Sequence, residues 1–288
     1  QELFLCRVII AQNIWSIESF PLNFTTLTIY ITAMQNDQLW KSILEDIFED
    51  FLTFFYPETE RMFDFARGFI YLDKELQQLF PTEKGKQSTR YVDKLVQVYT
   101  REGEEQWVLI HVEIQGTAQK DFERRMFRYY SRIFDKYDRR IAAFAIFTDT
   151  SIDFHPRQYE YSFLGTELLY KFNSYKVLDQ DINELSRNIN PFASVILAVK
   201  AAIEGKLHGD AAAYTFKKQL YLEFKAREIK DEKKQAILLF LKNYVRFEDN
   251  EFDNKFEVEV EKETQSTMGI AEYLLEQERE KTRAEREK

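Results

Sequence analysis

Two carboxylates in this sequence, with an amide two residues beyond the second, have the types and spacing to hold a metal ion. Asp93 lies in Arg-Tyr-Val-Asp-Lys-Leu-Val-Gln-Val-Tyr (90–99), and Glu113 and Gln115 lie in Trp-Val-Leu-Ile-His-Val-Glu-Ile-Gln (107–115). Both runs are rich in β-branched and aromatic residues with polar residues at alternate positions, and the polar segment between them carries Gly103, so they read as a β-hairpin. With the loop centred on Gly103, Asp93 faces Glu113, Tyr91 faces Gln115 and Leu95 faces His111. Directly opposed side chains have Cβ atoms about 4.5–5.5 Å apart, where two like charges repel. A hard divalent cation such as Mg2+, which takes carboxylate oxygens at about 2.0–2.1 Å and keeps several waters, offsets that repulsion. Gln115 points to the same side as Glu113 by the period of two, and a slip of one residue would separate the two acids.

The elements that must position this hairpin follow from the pattern on either side. Gln38 to Tyr56 reads as a helix, with Ile43, Leu44, Ile47, Phe48, Phe51, Leu52 and Phe55 as a wide apolar stripe and Pro57 as its stop. Its other face carries Glu45, Asp46, Glu49 and Asp50, for which a solvated face is the plainer reading beside a functional one. Phe63 to Leu72 is mixed and partly strand-like, Asp73 to Phe80 is a short helix before Pro81, and Thr82 to Thr89 is a polar loop. Asp121 to Tyr137 reads as a helix whose core stripe is Phe122, Met126, Tyr130, Ile133 and Tyr137. Arg124, Arg128 and Arg132, flanked by Arg125 and Tyr129, form a second line. That line is either a solvated face or a hold on a phosphate backbone.

Ile141 to Thr148 is a continuous apolar run and reads as a strand buried on both faces. Tyr159 to Leu178, broken at Gly165 and Asn173, reads as one or two further strands at a sheet edge. Beyond Pro191 the chain turns helical, over Phe192–Glu204, Ala211–Lys225 and Ala236–Phe247, which reads as a helical subdomain over 191–267. Glu248 to Thr267 is polar, and 268–288 reads as a charged helical tail, solvated or available for self-association through a coiled coil.

Composition sets the bounds. A chain of 288 residues with 44% hydrophobic side chains can bury a substantial core. The lone cysteine, Cys6, excludes an internal disulfide and points to a reducing, cytoplasmic setting, and no apolar run is long enough for a membrane span. The net charge of −9 argues against a nucleic-acid partner until its distribution is considered. From Lys84 to Arg140 there are 13 Lys and Arg against 9 Asp and Glu, so the hairpin sits in a basic island within an acidic chain. Residues 1–33 hold three charged side chains, Glu2, Arg7 and Glu18, and the composition changes at Met34. Two readings stand for them: a non-native or poorly ordered extension before a start at Met34, or a β-rich N-terminal piece in which Phe24 to Ile31 is a strand.

Other chemistries are excluded or set aside. His111, His155 and His208 are scattered and do not assemble a zinc ligand set with Cys6. Gly85-Lys86-Gln87-Ser88 lacks the earlier glycine and the preceding strand of a phosphate loop, and no dinucleotide fingerprint or serine-hydrolase elbow is present. His111 reads as a partly buried strand histidine rather than a general base.

An aspartate on one strand and an acid-x-lysine tripeptide on the next, followed by a helix and a strand, is the pattern of the PD-(D/E)XK nuclease superfamily, here Asp93 and Glu113-Ile114-Gln115. The runs Leu72-Asp73-Lys74-Glu75-Leu76-Gln77-Gln78-Leu79-Phe80-Pro81, Tyr91-Val92-Asp93-Lys94-Leu95-Val96, His111-Val112-Glu113-Ile114-Gln115-Gly116 and Arg125-Met126-Phe127-Arg128-Tyr129-Tyr130-Ser131-Arg132 resemble the bacterial recombination-promoting nuclease (Rpn) and transposase family. The resemblance spans about Gln38 to Asn190 and touches the charged tail from Met268.

It implies an α/β fold with a restriction-endonuclease-like αβββαβ core and a mixed central sheet over 34–190. It also implies Mg2+-dependent cleavage of DNA. Asp93 and Glu113 would hold the metal with the Ile114 carbonyl, the metal polarising the scissile phosphate and lowering the pKa of the attacking water. Glu45, on the first helix, would join them, and Arg124, Arg125, Arg128, Tyr129 and Arg132 would contact the DNA. Gln115 departs from the superfamily lysine; glutamine carries no charge, and its expected part is to orient a water. The rival reading is a non-catalytic DNA-binding or assembly module that keeps the fold.

Overall fold

The computed structural model describes residues 24–80, 92–101 and 107–260, with backbone alone at 24–34, 92, 93 and 107. The expected polar loop at 82–89, the centre of the hairpin loop and the charged tail lie outside the described residues, as do residues 1–23. The first helical segment is α1 (Phe24–Asp46), separated from α2 (Phe48–Phe55) by a break at Ile47. The strand reading of Phe24–Ile31 is thus replaced by helix; β-rich composition is a weak prior that context overrides.

After α3 (Thr59–Met62) and a 3-10 turn (Phe65–Arg67) come β1 (Phe69–Tyr71) and α4 (Asp73–Leu79). The hairpin strands β2 (Val92–Tyr99) and β3 (Trp107–Gln115) lead into α5 (Phe122–Tyr137) and β4 (Ile141–Phe147). The remaining strands are β5 (Gln158–Phe163), β6 (Thr166–Lys171) and β7 (Asn173–Lys176). A five-stranded mixed sheet has the order β1-β2-β3-β4-β7, antiparallel as far as β3 and parallel beyond it. The chain is therefore an α/β protein.

Of the strands expected between Tyr159 and Leu178, only β7 joins the sheet edge. β5 and β6 form a separate two-stranded hairpin turned by Leu164 and Gly165, both with positive φ (45° and 81°), the mirror-image turn whose twist suits paired strands. The base of that hairpin packs on α5 through Phe127 stacked on Tyr159, with Tyr130 against Tyr170.

Helices α6 (Ile182–Arg187), α7 (Pro191–His208), α8 (Asp210–Ala226) and α9 (Asp231–Tyr244) follow. Residues 250–260, within the stretch read only as polar, form α10. The Asn190 side chain accepts from the Phe192 N–H and Pro191 occupies the first turn, so α7 starts where the sequence placed a boundary.

That boundary is crossed by packing. α7 is buried along almost its whole length, and one apolar cluster joins it to α1, α2, the sheet and α8–α10. Phe51 is its centre, edge-on to Phe144 of β4 (5.2 Å) and Phe192 of α7 (5.2 Å). The helices beyond 190 are thus a layer over one face of the sheet, as an apolar-all-round helix must be covered on every side.

Within this layer Lys217 of α8 is 1% exposed; its Nζ lies 4.7 and 4.5 Å from the Phe247 and Phe256 ring centres and donates to the carbonyls of Lys242 (3.0 Å) and Val245 (2.6 Å). Burial pushes its pKa down to about 8, with Asp253 and Glu257 acting against that shift.

Two measurements check this arrangement. Phe51→Ala should cost about 3–5 kcal/mol of unfolding free energy, and urea unfolding should stay a single transition; a second transition for the C-terminal helices would contradict the shared core. Between the lowered folded pKa of Lys217 and the ordinary lysine value, the unfolded chain binds the extra proton, so stability rises with pH across that window. Lys217→Met should flatten that rise in a pH series of urea midpoints.

Candidate functional site

The register of β2 and β3 is the one expected: Asp93 pairs with Glu113 and Leu95 with His111. The Leu72 N–H donates to the Leu95 carbonyl (2.7 Å), so the polar groups of Leu95, and by alternation those of Asp93, turn toward β1. Asp93 and Glu113 therefore form a non-hydrogen-bonded pair, the kind with the closer Cα spacing. On β3 the Gln115 carbonyl accepts from the Thr148 N–H (2.9 Å), toward β4, so the Ile114 carbonyl turns toward β2, where its register partner is Val92. The side chain of Asp93 lies outside the described residues, and so does Tyr91, the expected partner of Gln115.

Parity divides the sheet into two faces. Leu95 and Leu109 meet Tyr129 and Ile133 of α5, and Ala143, Ala145 and Phe147 meet Phe122 and Met126. His111, Glu113 and Gln115 continue the β3 row on this α5 face, and all three are fully buried. Lys94, Val96, Val98, Val112 and Ile114 fall on the other face, with α1, α2 and α7.

Glu113 is held by Arg125 of α5, whose Nη2 lies 2.8 Å from its Oε1, and the His111 Nε2 is 3.8 Å from its Oε2. The same Nη2 donates to the Gln115 Oε1 at 2.6 Å, and Nη1 donates to the Gln119 Oε1 at 2.6 Å. The Gln115 amide nitrogen donates to the Thr117 carbonyl. His111 is edge-on to Tyr129, with ring centres 5.2 Å apart. A buried carboxylate is strongly disfavoured without such a partner.

The residues expected to meet DNA separate. Arg124, Arg128 and Arg132 are exposed on the outer side of α5, Arg132 also donating to the Leu79 carbonyl (2.9 Å) and lying over Phe80 (4.7 Å). Arg125 and Tyr129 do not share that surface. Both turn toward the sheet, because four residues separate them along the helix and the buried stripe runs through Tyr129 rather than Tyr130.

Glu45 is likewise not brought to Glu113. It pairs with Lys94, which is wholly buried on the opposite face, reaches Asp73 at 2.9 Å and lies 4.5 Å from the Tyr71 ring centre. The sequence signal for this cluster was the parity of Lys94 itself: a lysine at an inward position of a strand needs acids beside it.

Among the described residues no group of three or more His, Cys, Asp and Glu side chains converges on one point. The residue types that the register pairs, Glu113 and Asp93, would be the oxygen donors for a hard divalent cation. Among the described residues no helix is long and apolar enough to cross a membrane. Comparison with family models, with curated proteins and with solved structures returns no match.

The Lys94 cluster yields a stability test. Lys94→Met leaves the Asp73 carboxylate largely out of water without a cation and should cost about 2–3 kcal/mol in urea unfolding, toward the low side for a broken buried pair because Glu45 can turn to solvent. Adding Asp73→Asn should recover part of that loss; no recovery would rule out the pairing as its cause.

Proposed function

We propose that this chain is a divalent-cation-dependent DNA endonuclease of the PD-(D/E)XK type, working in a bacterial cytoplasm in recombination or the movement of DNA elements. The observation that carries the reading is the pairing of Asp93 with Glu113 across β2 and β3, with Gln115 two residues on. The element order supports it: helix, three antiparallel strands, helix and a parallel strand, interrupted by the short helices α3 and α4, follow the αβββαβ order. So do arginines 124, 128 and 132, exposed on the outer side of α5.

In this reading Asp93 and Glu113 would hold Mg2+, with the Ile114 carbonyl, which faces β2, as a further donor. When bound, the cation supplies Lewis-acid polarisation of the phosphate and a more acidic water. The oxygen of a water molecule bonds to phosphorus, one phosphorus–oxygen ester bond breaks, and the departing oxygen takes up the proton. Arg124 and Arg128 hold the flanking backbone by charge-assisted contacts that carry no sequence information. Glu45, engaged by Lys94, stands outside this machinery.

Purified protein incubated with supercoiled plasmid and Mg2+ or Mn2+ should nick it, and Asp93→Ala or Glu113→Ala should abolish nicking. Glu45→Gln should cut at close to the wild-type rate. DNA binding without cleavage in either metal would make the chain a non-catalytic nuclease-fold module instead.

A further inference from the structure

Gln115 stands where the superfamily pattern has a lysine, and its surroundings explain the exchange. Its amide is engaged at both ends: the oxygen accepts from Arg125 at 2.6 Å and the nitrogen donates to the Thr117 carbonyl. The amide fixes a guanidinium, which Glu113 at 2.8 Å and Gln119 at 2.6 Å also grip. A lysine at this position has no acceptor for Arg125 and would set an ammonium against the guanidinium. Gln115 and Arg125 therefore belong together, one supplying the acceptor and the other the charge.

The guanidinium sits beside Glu113, near the carboxyl end of β3, and the Arg125 side chain is 19% exposed while Glu113 is wholly buried. Arginine is charged at every working pH and presents five N–H donors in a planar fork that matches phosphate oxygens, whereas lysine presents a point charge.

We propose, resting on the nuclease reading above, that Arg125 takes over the part of the missing lysine: it supplies the positive charge beside the scissile phosphate, and Gln115 is the acceptor that aims it. As water adds to phosphorus and the ester bond breaks, the guanidinium stabilises the charge on the non-bridging oxygens; no oxidant or further reactant is needed.

The test uses the full chain in a compensation experiment with two readouts, plasmid nicking and Mn2+ binding by calorimetry. Arg125→Gln should slow nicking by about 100-fold or more while Mn2+ binds at least as tightly as in the wild type, since a cation competing for Glu113 has been removed. Gln115→Lys alone should not speed the reaction, because the new ammonium faces Arg125. The double variant Arg125→Gln/Gln115→Lys should recover most of the lost rate, the lysine pairing with Glu113 from its own strand.

If Arg125→Gln does not fold, the double variant carries the test: folded, binding Mn2+ and inactive, it overturns the proposal. Arg125→Gln nicking at the wild-type rate, while Asp93→Ala does not nick, overturns the proposal and leaves the nuclease reading standing. A wild-type protein that nicks with neither metal overturns both.

Discussion

A carboxylate buried near the carboxyl end of the sheet's central strand is the constraint to which this fold answers. Glu113 is fully buried, and an ionised carboxylate in such a place is held only by a cation and hydrogen bonds of good geometry. Arg125 meets that need from α5, and to do so the helix must lie across β3 with its first turn over the strand's end. The crossing from β3 through α5 to the parallel strand β4 sets that position, and Phe122 and Met126 packed on Phe147, Ala145 and Ala143 hold it. The apolar contacts and the ion pair thus specify the same placement of one helix.

The two faces of the sheet answer to different demands. The face toward α7 is apolar and seamless apart from Lys94, whose charge is led out through Glu45 and Asp73 to partly exposed carboxylates. The face toward α5 carries its polar row on β3, His111, Glu113 and Gln115, and changes to apolar contacts on either side. A strand with acids and amides on one side and Val112 and Ile114 on the other has its register fixed by both, since a slip of one residue would put the polar row among the phenylalanines.

Much of this was legible in the residues. The glycine at 103 and the alternation on either side of it fixed the pairing of Asp93 with Glu113, and the unbroken apolar run at 141–148 announced a strand with a neighbour on each face. What was not legible depended on choices between near-equal alternatives. Tyr129 and Tyr130 are adjacent and equally apolar, so periodicity alone did not decide which faces the sheet, and with Tyr129 inward Arg125 turns inward too. Glu45 was read as an acid on a solvated face or, by resemblance, as a companion of Asp93 and Glu113, because its partner, Lys94, is distant in sequence. The polar appearance of 250–260 hid a helix whose one deeply buried contact is Phe256, and the segment after Pro191 looked detachable because its own stripe said nothing of the sheet it covers.

The burial of α7 bears on how the chain comes into being. β1 to β4 all precede residue 191, and the α2 phenylalanines that meet Phe192, which are Phe51, Phe54 and Phe55, are made long before it. On a ribosome adding about 5–20 residues per second, the phenylalanines of α2 that α7 covers wait several seconds until that helix emerges. Through that interval the nascent chain exposes apolar surface that the finished fold buries, and premature contact with other chains competes with folding.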